Sequence, residues 1–294
     1  MMREQPTVFV LGYFAAVHLG HRALIEQAKK IAGYGAKVTV ATFDDGFYRA
    51  LGRDCREIYT LVERMMVLDG LSVDIDIFPS SEDFLSLSYD EFLALLSKRE
   101  PVCIVVGADY RFGKGAEGTA EMLKTYFTSR GVPVIVSDLL EFEGEKISSN
   151  LIARFLSEGD IRKANLVLGQ PFFIAGTVEK GLENGKKIGF PTLNLSFLPE
   201  KFIPKHGVYA SVTTINGVQY PSMTNVGQHP TLDYLSVNAE TNVFGLEGDH
   251  YDEFIKVELI EYLREVRRFD SLDDLKKQLE IDKERAKNAL KEKV

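Results

Sequence analysis

The sequence predicts an α/β domain built on a doubly wound parallel sheet, followed by a small antiparallel β-barrel and a C-terminal helix. Three observations carry this expectation. Over the first half, continuous apolar runs ending at glycine or polar turns alternate with amphipathic helical stretches, the pattern of buried parallel strands joined by crossover helices. Beyond residue 170 the apolar period shifts to two with short turns between runs, as in an antiparallel barrel. A chain of 294 residues with 45% hydrophobic content can also bury more than one core. The expected domains are 1–158 and 159–294.

Taken in order, Thr7 to Leu11 is an apolar run stopped by Gly12, which suits a buried strand. His18-Leu19-Gly20-His21 follows, opening a helix that runs through Ile31 with Leu24, Ile25 and Ala28 along one face. The two histidines thus fall where a strand crosses into a helix, a position from which cationic or hydrogen-bonding imidazoles can hold a polyphosphate. One of them can equally cap the helix while the other faces water. Strand Val38 to Phe43, helix Leu61 to Leu71, strand Val73 to Phe78, helix Tyr89 to Ser97 and strand Val102 to Val106 continue the alternation. The glycine-flanked loop Gly107 to Gly115 then sits at a strand C-terminus, where open α/β sheets bind ligands. Helix Ala120 to Arg130 and strand Val132 to Val136 complete the sheet, and Leu156 to Gln170 reads as a helical linker.

In the second half the expected strands are Phe172 to Val178, Gly207 to Ile215, Gln219 to Val226, Asn238 to Phe244 and Phe254 to Tyr262. The charges of the closing helix, Leu272 to Lys291, form a solvated face. Between the first two strands lies GTVEKGLENGKKIGFPTLN, Gly176 to Asn194. Its glycines Gly181 and Gly185 let backbone N–H groups approach phosphate oxygens, and Lys186 and Lys187 add positive charge. Thr192 and Asn194 are hard oxygen donors two apart. In an extended segment both point to one face, which suits Mg²⁺ carrying nucleotide phosphates. The same run also fits an edge hairpin whose polar residues face water.

A net charge of -8 argues against nucleic acid as the main partner, because backbone binding needs concentrated positive charge. Two cysteines, Cys55 and Cys103, with no metal-ligand spacing, read as structural thiols in a reducing compartment. No stretch has the length of a membrane span and the first residues lack a signal-peptide core, so a cytoplasmic location is expected. Oligomeric state is not readable.

The run Gly181, Gly185, Gly189-Phe190-Pro191-Thr192-x-Asn194 resembles the riboflavin kinase signature. The first half resembles the nucleotidyltransferase domain of the bacterial bifunctional riboflavin kinase and FMN adenylyltransferase (FAD synthetase) family, through Gly12-x-Phe14-x-x-Val17-His18-Leu19-Gly20-His21, the Gly107 to Gly118 loop and Ile147-Ser148-Ser149. The resemblance implies riboflavin, FMN and ATP as substrates, with Mg²⁺. It implies phosphate binding by Gly181, Gly185, Lys186, Thr192 and Asn194 in one domain and by His18, His21, Ser148 and Ser149 in the other. Glu240 corresponds to the general base, Thr192 and Asn194 to the metal donors, Arg264 and Phe269 to the flavin side, and Asn225-Val226-Gly227 with Pro230-Thr231 to a family turn.

The chain departs from the family at three places. Phe14-Ala15-Ala16 lacks the usual acidic residue, Phe43-Asp44-Asp45-Gly46 replaces a Pro-His-Pro-like run, and Ala153 stands where an arginine belongs. The expectation is therefore a riboflavin kinase whose N-terminal adenylyl transfer is weak or absent, with Asp44 and Asp45 repelling an incoming anion. The rival reading is a fully bifunctional enzyme in which Arg111, Lys114 or Arg154 supplies the missing charge. A non-catalytic flavin- or nucleotide-binding regulator is the alternative from another class.

Overall fold

The computed structural model describes residues 5–52, 56–181, 185, 189–230 and 235–291. The chain divides into two compact units, Met1–Leu151 and Ile152–Val294.

The first unit holds a five-stranded sheet, all parallel, from β1 (Thr7–Leu11), β2 (Lys37–Phe43), β3 (Asp74–Phe78), β4 (Pro101–Gly107) and, after two short strands β5 (Arg111–Phe112) and β6 (Gly118–Thr119), β7 (Val134–Ser137), in the order β3-β2-β1-β4-β7. The apolar runs are parallel strands because both faces are covered: every residue of β1 is buried. The helices that cover them are α1 (Leu19–Ala32), the short α2 (Phe47–Ala50), α3 (Leu61–Asp69), the short α4 (Glu82–Leu85), α5 (Tyr89–Ser97) and α6 (Ala120–Thr128). On one face Phe9, Leu11, Ile104 and Val106 pack with Phe92 and Phe127, each large side chain adding about 1.5–3 kcal/mol relative to exposure. Cys103 is a buried free thiol; Cys55 lies outside the described residues. A small hairpin, β8 (Glu141–Phe142) with β9 (Glu145–Lys146), leads into α7 (Ser149–Glu158).

The second unit is a six-stranded antiparallel sheet curled into a nearly closed barrel, from β10 (Phe172–Thr177), β11 (Leu193–Ser196), β12 (Gly207–Ile215), β13 (Val218–Pro230), β14 (Leu235–Val243) and β15 (Phe254–Arg264), in the order β10-β15-β12-β13-β14-β11. Among the described residues one bridge, Glu179 to Asn194, spans the remaining gap. Inside, Thr241, Thr224, Ser211, Ser222 and Thr213 form a fully buried chain of hydroxyl hydrogen bonds at 2.8–2.9 Å, so no polar group of that chain loses its water uncompensated. Outside, helix α9 (Leu272–Lys291, the last helix) lays Ala286 and Ala289 on Ala210, Met223 and Phe190.

The stretch expected to be a linker belongs to the barrel unit. Helix α8 (Ile161–Leu168), capped by Asp160, packs on β10 and β15, and the buried Asn165 joins them by donating to Leu259 O at 2.9 Å and accepting Phe172 N–H at 2.7 Å. The short strand β11 was legible only as an extended segment. The turn at Pro230-Thr231 falls at the end of β13, with Thr231 outside the described residues.

Arg64 of α3 is fully buried and binds four groups: Glu57 at 3.2 Å, Asp45 at 3.2 Å, Thr42 Oγ1 at 3.0 Å and the Tyr13 carbonyl at 3.3 Å. Glu57 is itself 2% exposed, and burial raises its pKa against the lowering effect of Arg64. Removing one partner leaves an uncompensated buried charge. Arg64→Met should therefore cost about 3–5 kcal/mol of stability, and adding Glu57→Leu should recover most of it. Urea denaturation of the three proteins checks this; a single variant as stable as wild type contradicts it.

Candidate active sites

The strand order reverses between β1 and β4, and there the carboxyl ends of the strands part around a cavity of about 490 Å³ lined by Leu11, Gly12 and Gly107. The loop from β1 into α1 is strained: Phe14 and Val17 have φ of 57° and 44°, and Phe14, fully buried, packs on the His21 ring with centroids 4.6 Å apart. His18 is the N-cap of α1, its Nδ1 accepting the His21 N–H at 3.3 Å, and the two rings stack at 3.7 Å and 10°. Capping and cavity lining, which looked like alternatives in the sequence, are combined in one residue.

Because Nδ1 accepts, the proton of the neutral His18 ring sits on Nε2. Burial lowers the His18 pKa to about 4, and burial together with the neighbouring His18 holds His21 well below the ordinary range. Near neutral pH both rings are therefore uncharged hydrogen-bonding groups, and the cationic half of the expectation does not hold. In the interval between the ordinary 6.5 and about 4 the unfolded chain binds more protons at His18 than the folded one, so stability falls as pH falls. The loss from His18 alone should reach roughly 3 kcal/mol. Denaturation of the N-terminal unit at pH 7 and pH 4.5 tests it, and His18→Asn should flatten the slope.

Ser148 and Ser149 line the same cavity at the start of α7, where Ser148 Oγ accepts the Leu151 N–H at 3.3 Å. Positive charge at the cavity comes from Lys146, ion-paired to Asp109, and from Arg111. Of the cations considered as substitutes for an arginine at Ala153, Arg111 lines the cavity, Lys114 does not, and Arg154 lies over the Phe155 ring at 5.4 Å. The expected repulsion by Asp44 and Asp45 is corrected. Asp44 accepts the Ser80 N–H at 2.9 Å, while Asp45 accepts the Leu61 N–H at 2.6 Å and pairs with Arg64. Both carboxylates are committed to backbone N–H groups and lie outside the cavity lining.

In the barrel unit the register sets the geometry. Asn194 on β11 faces Glu240 on β14, which faces Asn225 on β13, so these three side chains occupy one face in one row. The row continues through Val208 to Arg264. Gly181 is required by close approach, since a Cβ there would lie 2.5 Å from Asn194 Nδ2. At Gly185 a Cβ would lie 2.2 Å from the Phe190 carbonyl oxygen, which the turn brings over it. Phe190 is buried under α9, and Asn242 Nδ2 donates to Pro191 O at 2.7 Å, so the two residues that lead into Thr192 are both held. Gly181, Thr192 and Asn194 share a groove of about 70 Å³ with His250 and Tyr251. Lys186 lies outside the described residues.

Arg264 is engaged elsewhere: its guanidinium grips the fully buried Asp282 of α9 through three hydrogen bonds of 2.6–3.1 Å. Phe269 sits near it, stacked under Arg267 at 4.7 Å and Arg264 at 5.8 Å. Neither lines the groove, and neither does Glu240, whose link to it is the strand pairing with Asn194. The strand register brings Asn194 and Glu240 together, while Arg264 and Phe269 form a separate cluster at the end of β15.

Comparison with known proteins follows the same division. A riboflavin kinase family model matches residues 168–290 and an FAD synthetase model residues 1–151. The bifunctional riboflavin kinase/FMN adenylyltransferase of Bacillus subtilis is 33% identical over 96% of this chain and 92% of its own length. The chain belongs to the bifunctional riboflavin kinase/FMN adenylyltransferase family. The Escherichia coli member is 31% identical over 95% of the chain and 91% of its own length. A crystal structure described as a macrolide-efflux protein from Streptococcus pneumoniae superposes with a TM-score of 0.86 at 34% identity, covering 97% of this chain and 95% of that one. Among the described residues of the present chain no helix is long and apolar enough to cross a membrane.

Membership makes this chain a riboflavin kinase of flavin cofactor biosynthesis, and its full-length relatives favour the bifunctional reading over the kinase-only expectation. Sequence reasoning passed over several residues that line the groove and the cavity. Asp249, His250 and Tyr251 line the barrel groove, and Tyr13, Phe47 and Tyr48 line the cavity. Tyr13, Phe47 and Tyr48 come within a few residues of the ends of β1 and β2, a signal the sequence offered, whereas Asp249 to Tyr251 lie in the loop between β14 and β15.

Proposed function

We propose that this chain converts riboflavin to FMN in the barrel unit and FMN to FAD in the α/β unit, each step using one ATP. In the first step the terminal ribityl hydroxyl oxygen attacks the γ-phosphorus, the bond to the β–γ bridging oxygen breaks, and ADP leaves. The hydroxyl proton goes to the Glu240 carboxylate. The cross-strand pairing of Glu240 with Asn194 carries this reading, because it places a carboxylate beside a hard oxygen donor on one face.

Mg²⁺ fits this donor set. The Thr192 hydroxyl and the Asn194 amide oxygen, beside a carboxylate, are few and hard, as for a Mg²⁺ that keeps waters and is held mainly by substrate phosphates. When bound it neutralises developing phosphoryl charge. Among the described residues no group of three His, Cys, Asp or Glu side chains would cage a metal without the nucleotide.

In the second step an FMN phosphate oxygen attacks the α-phosphorus of ATP, the α–β bridge breaks and pyrophosphate leaves. Neutral His18 and His21, with Ser148 and Ser149, are the donors for the charge that develops. A second reading, a kinase with a catalytically silent N-terminal unit, is favoured by Ala15 and Ala153, where the family carries charge. Supplying FMN and ATP without riboflavin separates the two. FAD and pyrophosphate formed in equal amounts support the bifunctional reading; ATP binding without FAD supports the second.

A further inference from the structure

Four consecutive residues of the connection between β14 and β15, Gly248 to Tyr251, line the barrel groove together with Gly181, Thr192 and Asn194. That connection is neither helix nor strand, so no ladder of backbone bonds fixes it. It also passes through three left-handed residues, Gly245, Gly248 and Asp252, with φ of 78°, 99° and 64°. Asp252 is not a glycine, and such a conformation persists only where the surrounding contacts impose it.

The ring of His250 supplies contacts of that kind. Its Nδ1 lies 3.0 Å from Glu253 Oε1, three residues ahead, and its Nε2 lies 3.1 Å from the Glu247 carbonyl oxygen, three residues behind. Both partners are acceptors. A neutral imidazole has one N–H and satisfies one of them, whereas the imidazolium has two and satisfies both. Glu253 serves as an acceptor on its other oxygen as well, taking the Asn216 Nδ2–H at 3.1 Å, so the staple is tied to the turn between β12 and β13. The charged groups on the same loop are the Glu247, Asp249 and Glu253 carboxylates. From the segment after β10 come Glu179, engaged by Ser196 Oγ at 2.6 Å, and Lys180, whose ammonium lies 5.8 Å from the Tyr251 ring centroid. Asn216, Thr192 and Asn194 are uncharged.

The staple reaches the groove through the backbone. Val178 N–H donates to Glu253 O at 2.9 Å and Asp252 N–H to Val178 O at 3.0 Å, which seats the end of the loop on the strand leading to Gly181. The next residue, Glu179, donates its N–H to Asn194 O at 2.9 Å. His250 therefore acts on the wall of the groove and on the backbone of Asn194, while its own hydrogen bonds go to neither Thr192 nor Asn194.

We propose that His250 is a positioning residue for phosphoryl transfer in the barrel unit: as a double donor it staples the β14–β15 loop into the wall against which ATP seats. The proposal rests on the reading that this groove holds the nucleotide. The staple is complete while the ring carries both protons and loses one bond when the second proton leaves, so ATP capture weakens as pH rises. Because the ring touches no reacting atom, the effect falls on KM for ATP and spares kcat.

The test is FMN formation by the full chain, with saturating Mg²⁺, in steps across about pH 5 to 8, where histidines change charge. His250→Gln should raise the KM for ATP about tenfold over wild type at the low end, the cost of a lost charge-assisted bond, and the ratio should fall toward one at the high end. The kcat should stay within about twofold of wild type at each pH. Titration of ATP itself is common to both proteins and cancels in the ratio. Glu253→Gln should behave in the same way, and joining the two substitutions should add less than about twofold, since both break one staple. A ratio that is flat with pH, or a loss confined to kcat, overturns the proposal. Asn194→Ala reports on the groove separately: if that variant uses ATP and Mg²⁺ normally, the groove reading fails and takes the ATP effect with it. Ring ¹⁵N signals of the wild type, assigned by their absence from His250→Gln, decide the staple itself. Two protonated nitrogens at the low end of the range support it, and a single one throughout overturns it.

Discussion

Glu240→Gln should lower the rate of FMN formation by about 10²- to 10⁴-fold while riboflavin and ATP still bind. Glutamine keeps the shape and the hydrogen-bonding reach of the side chain, but it cannot accept the ribityl proton. The register makes the consequence specific, since Glu240 stands directly opposite Asn194 on the neighbouring strand. Asn194→Ala, which removes an oxygen donor and leaves the carboxylate, should instead raise the Mg²⁺ concentration needed for half-maximal rate. Steady-state rates with a binding titration for each variant distinguish the two defects. Full activity in the glutamine variant would make Glu240 a structural residue and remove the proposed base.

The second large effect concerns the other unit. His21→Ala should reduce FAD formation from FMN and ATP by about 10²- to 10³-fold, the usual cost of deleting one preorganised donor, and should leave riboflavin phosphorylation intact. His18→Ala should do the same and also weaken α1, whose first turn loses its cap. Both rings titrate far below neutral pH, so FAD formation should show no histidine-like inflection between pH 6 and 8. A pH–rate profile that rises through 6.5 in wild type and flattens in the variants would contradict the neutral assignment.

The parallel sheet was legible because burial on both faces leaves an unbroken apolar run, as in Val102 to Val106, and few other structures are written that way. The barrel was legible from its period of two. What the sequence hid were pairings between distant residues. Nothing local in the Leu61 to Leu71 stretch tells Arg64 from a solvated arginine, yet it is fully buried and joins residues from three loops and strands. Asp44 and Asp45 read as free negative charge because their partners, the Ser80 and Leu61 N–H groups, lie 36 and 16 residues away. Arg264 likewise has a partner that the sequence hid: Asp282, on a helix that looked merely charged. The motif singles out Thr192, Asn194 and Glu240, and the register adds what the motif lacks, a shared face for Asn194 and Glu240.

The account stands or falls on two chemistries in one chain. The most direct measurement is a time course of flavins separated by chromatography after mixing the purified protein with riboflavin, ATP and Mg²⁺. The account predicts that riboflavin falls, FMN rises and then declines, and FAD accumulates. FMN accumulating to completion with no FAD would contradict it, and riboflavin left unchanged would contradict both halves.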